Sequence, residues 1–86
     1  MRKILFETHH LYYWPNFRPI IDEMILSEDF EIYVSMPKRN LTLQQSILIK
    51  ECDNLSIQFI TADSELKRVE KIHNEAFDII IVGTIM

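Results

Sequence analysis

The sequence predicts a three-layer α/β fold, with a parallel sheet laid down in the order β-α-β-α-β-α-β. Three observations predict it. Four short runs rich in Ile, Val, Phe or Tyr recur along the chain, each bounded by polar or turn residues. Amphipathic segments separate them, and strands alternating with helices of about 10 to 15 residues form right-handed crossovers onto a parallel sheet. The last run, Ile79-Ile80-Ile81-Val82, is continuously apolar, as in a strand buried on both faces.

Taken in order, the first strand is expected over residues 3–7, the second over 31–35, the third over 56–61 and the fourth over 78–82. The first helix follows from Phe17, Ile20, Ile21 and Met24, which recur at offsets 0, 3, 4 and 7. Asn16 reads as its N-cap, which puts Pro19 in the first turn, where proline is tolerated. A second helix is expected from Thr42 to Glu51, with Leu43, Ile47 and Leu48 inward. A third, capped by Asp63 or Ser64, turns Leu66, Val69, Ile72, Ala76 and Phe77 inward. Its wet face would carry Glu65, Glu70, Lys67, Arg68 and Lys71, and His73 reads as partly buried. Together these elements make a Rossmann-like half-fold. It looks unfinished, because Gly83-Thr84-Ile85-Met86 ends the sequence just past a strand that needs cover on both faces. The expectation is a single, truncated N-terminal domain over residues 1–86; the alternative is a complete miniature domain.

Composition narrows the function classes. At 86 residues, 48% hydrophobic and 26% charged, the chain is one globular unit. A formal charge of -4, with scattered basic residues such as the Lys38-Arg39 pair, excludes a nucleic-acid footprint. One cysteine, Cys52, excludes an intrachain disulfide and a cysteine-based zinc site; it reads as a plain thiol in a reducing compartment. There is no signal-peptide core and no run near the roughly 18 apolar residues of a membrane span. The expected location is the cytoplasm. With Gly83 as the one glycine, neither a Gly-x-Gly-x-x-Gly fingerprint nor a Walker A loop is present.

Candidate chemistry concentrates in Thr8-His9-His10-Leu11-Tyr12-Tyr13-Trp14-Pro15-Asn16-Phe17, directly after the first strand. In open parallel sheets ligands bind outside the carboxyl ends of the strands. His9 and His10 suit a general base or a hydrogen-bond partner for a hydroxyl or phosphate, because imidazole titrates near neutrality. They can equally cap the strand end. Adjacent residues of an extended segment point to opposite sides, so no metal site is expected. Tyr12, Tyr13 and Trp14 can stack on a sugar or polyol, or close a hydrophobic staple over Phe17. Glu7, Thr8, Ser35, Gly83 and Thr84 would share the same sheet edge.

The opening Lys3-Ile4-Leu5-Phe6-Glu7-Thr8-His9-His10-Leu11-Tyr12-Tyr13-Trp14-Pro15-Asn16-Phe17-Arg18-Pro19-Ile20 resembles the N-terminus of CDP-glycerol glycerophosphotransferase-like proteins, the teichoic-acid-type polymerases of the cell envelope. The strong part covers about 18 residues. Beyond it, the chain agrees in its β-α order and in the Phe77-Asp78-Ile79-Ile80-Ile81-Val82-Gly83 strand. The resemblance implies the acceptor-side N-terminal domain of a two-domain GT-B transferase. A missing C-terminal domain would bind the CDP-activated polyol or sugar-nucleotide donor, and no cofactor is implied. The acceptor would be a polyol-phosphate or lipid-linked chain at the inner face of the membrane. The family's Trp-His-Gly segment, whose histidine is the usual base candidate, would follow a strand like the fourth and is absent from this sequence. The resemblance therefore implies that the 86 residues alone are inactive, with His9, His10, Tyr12, Tyr13 and Trp14 shaping an acceptor cleft. Other readings are another GT-B glycosyltransferase, a sugar-nucleotide epimerase, or a non-catalytic flavodoxin-like interaction module.

Overall fold

A computed structural model describes residues 1–37 and 42–83; Lys38, Arg39, Asn40 and Thr84 lie outside the described residues. Four parallel strands, β1 (Arg2–Thr8), β2 (Phe30–Ser35), β3 (Gln58–Phe59) and β4 (Ile79–Gly83), form one sheet in the order β3-β2-β1-β4. Three helices alternate with them: α1 (Trp14–Ser27), α2 (Thr42–Leu55) and α3 (Glu65–Glu75). The expected α/β class, element order and parallel sheet are all present.

The period-2 rule of a strand sorts the core into two faces. Ile4 and Phe6 of β1 and Ile32 and Val34 of β2 point toward α1 and α2, where they pack with Phe17, Ile21, Leu48 and Cys52. Leu5 and Tyr33 point the other way, toward Ile72 of α3 and toward Phe77. The fold is therefore three-layered, with α1 and α2 on one face and α3 on the other. Ile4 pairs with Ile32 on one side and Ile79 on the other, so β1 is the spine of the sheet. Burying each such side chain contributes about 1.5–3 kcal/mol, so the β1 run Ile4-Leu5-Phe6 is the densest source of stability in the chain.

Several expectations need correcting. α1 begins at Trp14, with Tyr13 in the cap position and Pro15 in the first turn; Asn16 is no cap, and Pro19 falls inside the helix. Pro19 removes the bond to the Pro15 carbonyl, and both prolines are exposed, where solvent can take that carbonyl. Ile20 is also exposed. α2 runs four residues further than expected, to Leu55, and turns Leu48 and Cys52 inward while Leu43 and Ile47 face solvent. α3 is capped by Ser64, whose hydroxyl accepts the Lys67 N–H, but it buries Arg68 and exposes Leu66, Val69 and His73. β3 shrinks to two residues. Among the described residues β4, the apolar strand read as needing cover that this sequence does not supply, is an edge strand, with Ile80 and Val82 each 50% exposed. Helix ends use the left-handed region without glycine, at Glu28 after α1, Ser56 after α2 and Ala76 after α3.

Cys52, on the inner face of α2, has a thiol pushed up to about 12 by burial, with the nearby charges of Asp53 and Glu51 adding to it. Its folded value lies above its unfolded one, so the native state holds the proton more tightly. That contribution is intact below the ordinary value of 9.0 and is lost as pH rises toward about 12. We expect urea midpoints to fall over that window and Cys52→Ala to flatten the fall. A wild-type curve no steeper than that of the variant would refute the assignment.

Candidate functional site

The helix that follows β1, α1, and the helix that precedes β4, α3, lie on opposite faces of the sheet, which makes the β1/β4 edge the topological switch point. The ends of these strands are tied together there: the His9 N–H donates to the Gly83 carbonyl at 3.0 Å. Gly83 sits beneath the rings that follow. A Cβ on it would lie 2.8 Å from Phe17 Cζ and 3.0 Å from Tyr13 Cβ and Cγ. Neither ring can retreat from that contact as a flexible chain tip would. Gly83→Ala is therefore expected to cost about 1–3 kcal/mol by overpacking, read as a lower urea midpoint at unchanged slope.

The two histidines have different surroundings. His10 is extended and caps a 3-10 turn, Leu11–Tyr13, with its Nδ1 accepting the Tyr12 N–H at 3.2 Å. With Nδ1 as that acceptor the proton of the neutral ring is on Nε2, which faces the amide nitrogen of Gln44, another donor, at 3.2 Å, so that approach is a packing contact and not a hydrogen bond. Gln44 Oε1 accepts the Leu11 N–H at 3.0 Å, and the Thr8 hydroxyl donates to the His10 carbonyl at 2.6 Å. The Tyr12 ring stacks on the His10 ring at 4.2 Å and is itself 76% exposed. His10, Thr8 and Gln44 thus hold the loop in shape, and Tyr12 is its outward aromatic.

His9 turns instead toward the α3 face, with Nε2 3.5 Å from Glu7 Oε2. Wider than a hydrogen bond, this is an ion pair whenever the ring carries two protons. The other oxygen of Glu7 accepts from Arg68 Nη1 at 2.5 Å. Arg68 also donates from Nη1 to Ser35 Oγ at 3.3 Å, and from Nε and Nη2 to the two oxygens of Glu65 at 2.9 and 2.6 Å. Burial works to lower the Arg68 guanidinium, but the hydrogen bonds and charges of Glu65 and Glu7 outweigh it and leave it raised. Arg68 is 4% exposed and stays charged; Glu7 is bridged between a fixed cation and a titratable one.

Of the expected site residues, Glu7, Thr8, His9, His10, Tyr12, Tyr13, Ser35 and Gly83 gather at this edge. Trp14 does not line it. As the first residue of α1 its ring turns into the core beside Leu48 and Cys52, and its Nε1 has no hydrogen-bond partner among the described residues. Thr8 and Ser35 are fully buried and act through Oγ on their neighbours rather than on solvent. The residues that the expectation left out are Arg68, Glu65 and Gln44. A signal for the first was present, since Glu7 stands at an inward period-2 position next to the α3 face and needs a cation there.

Concavities of about 650 and 510 Å³ lie at the opposite, amino-terminal end of the strands, around Met1, Glu28 and Phe30. They are larger than the concavities of about 220 and 100 Å³ at the carboxyl edge, but no histidine and no buried charge lines them. The candidate site residues gather at the carboxyl edge, where a smaller cavity of about 100 Å³ is lined by Met36, Gln45, Phe59, Thr61 and Arg68. Among the described residues no cluster of three or more His, Cys, Asp or Glu is placed to hold a metal ion. Nor is any helix among them long and apolar enough to cross a membrane. Compared with protein-family models, with curated proteins and with solved structures, the chain has no significant match.

Proposed function

We propose that this chain is the acceptor-binding part of a CDP-glycerol glycerophosphotransferase-like transferase, acting in the cytoplasm on a polyol-phosphate or lipid-linked acceptor at the inner membrane face. The observation that carries the reading is the Glu7–His9 pair at the switch point, 3.5 Å apart. The Glu7 carboxylate stands where it can pair with the imidazolium that a general base becomes after it takes a proton. With Nε2 facing Glu7, Nδ1 keeps the lone pair. In the proposed reaction an acceptor hydroxyl gives its proton to Nδ1 as its oxygen bonds to the β-phosphorus of the donor. The bond from that phosphorus to the bridging oxygen breaks, and CMP leaves. Tyr12, exposed and stacked on His10, offers a face for the polyol chain. The CDP group would be held mainly by a donor-binding domain, because one glycine at this edge leaves no phosphate-cradling loop.

The test supplies the intact protein with CDP-glycerol and a glycerol-phosphate oligomer and follows CMP release. Acceptor-dependent release supports the reading; no release, with no binding of the oligomer, sinks it. A second reading, a flavodoxin-like interaction module, is favoured by one observation: Leu66, Val69, Ile80 and Val82 are exposed on α3 and β4. Under that reading CMP is never released and replacing His9 has no effect on partner binding.

A further inference from the structure

The way Arg68 is held separates its two edges. One edge is anchored: Nη1 donates to Glu7 and Ser35, both carried by the sheet and far away in sequence. The other edge, Nε with Nη2, makes a two-pronged bond to Glu65, three residues earlier on the same helix. The side chain of Glu65 is 44% exposed, whereas that of Arg68 is 5% exposed. A buried guanidinium is thus aimed by the sheet and covered by a local, solvent-reachable carboxylate. Planar two-pronged pairing is what guanidinium offers to carboxylate and phosphate alike.

The space beside it is shaped for more than a side chain. The 100 Å³ cavity lined by Arg68 and Met36 shares Thr61 and Ala62 with a second cavity of about 220 Å³, which is lined by Asp63, Lys67 and Lys71. Two further cations therefore border the same trough. Lys71 donates to the Thr61 carbonyl, which fixes one wall. Glu7 joins this trough to the loop, since its two oxygens serve Arg68 and His9 respectively.

We propose that the Nε/Nη2 edge of Arg68 is an anion subsite for a phosphate group of the acceptor, with Glu65 as the stand-in that the phosphate displaces. The subsite rests on the acceptor reading above, and it names the chemical class: a phosphomonoester or phosphodiester of the acceptor. No bond is made or broken at Arg68. The phosphate exchanges places with a carboxylate, and the Glu7 and Ser35 contacts stay as they are.

The test follows the Arg68 Nε–H resonance of the ¹⁵N-labelled protein during titration with inorganic phosphate, glycerol 3-phosphate and glycerol. Phosphate and glycerol 3-phosphate are expected to shift it, and glycerol to leave it in place. Glu65→Gln removes the competing charge from an exposed position without emptying the core. It is expected to tighten both anions by about two- to fivefold, the size of an exposed ion pair. Phosphate binding that is unchanged in Glu65→Gln, or shifts that leave Arg68 untouched, would overturn the subsite. A stronger response to glycerol 3-phosphate than to phosphate assigns the site to the acceptor; an equal response, with no effect of Glu65→Gln, assigns it to adventitious phosphate and overturns the proposal. Anion binding at Arg68 in a protein that releases no CMP keeps the subsite and discards the transferase reading.

Discussion

Arg68→Ala is expected to destabilise the protein by about 3–5 kcal/mol, the usual cost of removing one partner of a buried ion pair. The loss is not simply that of two or three hydrogen bonds. Without the guanidinium, the Glu7 carboxylate is left on the sheet surface under α3, with His9 as its remaining ion-pair partner among the described residues. Small domains have total stabilities of about 5–15 kcal/mol, and at this size each kilocalorie lowers Tm by about 4–8 °C. A fall in Tm of at least about 12 °C is therefore expected. Two companion variants separate the causes. Glu65→Gln should cost under about 1 kcal/mol, because its carboxylate is exposed and screened. Glu7→Gln with Arg68→Met should recover much of the single-variant loss, because neither buried charge then remains. If Arg68→Ala shifts the urea midpoint no more than Glu65→Gln does, the pair is already solvated and the argument fails.

The prominence of Arg68 shows where sequence patterns stop being informative. Element order, the parallel sheet and its layering could be read from the chain, because four β-rich runs at regular spacing leave little topological choice. Helix faces were harder. On α3 the apolar residues Leu66 and Val69 suggest one stripe, yet the inward line runs through Arg68 and Ile72. Apolar periodicity assumes that charge is always outside. It misses a guanidinium drawn inward by a glutamate at the end of β1. On α2 the same one-position slip follows from Gln44, which is turned toward the loop to receive the Leu11 N–H. A helix rotated to satisfy that amide must carry Leu43 and Ile47 outward.

The loop after β1 was legible as a place and not as an assignment of roles. That it lies at the carboxyl edge follows from the strand before it. Which of its rings face outward depends on where α1 starts, and Pro15 was the cue. A helix whose first turn contains Pro15 rather than Pro19 must begin at Trp14, and that rotates the indole into the core. Gly83 could be seen as the one residue free of a side chain. Its reason, the close approach of Tyr13 and Phe17, is tertiary and has no local signature.

His9 and His10 are adjacent, yet their replacement by glutamine is expected to read out in opposite ways. Under the proposed transferase reading, His9→Gln in the intact protein should lower acceptor-dependent kcat by about 10²–10⁴-fold, the range for losing a general base, with little change in stability. The ring is half-buried, and its charged contact is Glu7, so the fold depends on it only weakly. Glutamine keeps polar reach but takes no proton. His10→Gln should do the reverse. Its ring accepts the Tyr12 N–H, lies against Gln44 and stacks on Tyr12, so its loss should cost about 1–2 kcal/mol through the cap and the stacking. Turnover at temperatures well below the melt should then change by less than about tenfold. Glu7→Gln sorts the mechanism further. If Glu7 acts by pairing with the His9 imidazolium formed on proton transfer, its loss lowers kcat and leaves acceptor KM nearly unchanged. If His9 merely holds the acceptor hydroxyl, KM rises and kcat stands. A His9→Gln protein with wild-type kcat and a raised KM would leave the acceptor cleft in place and remove the base from it.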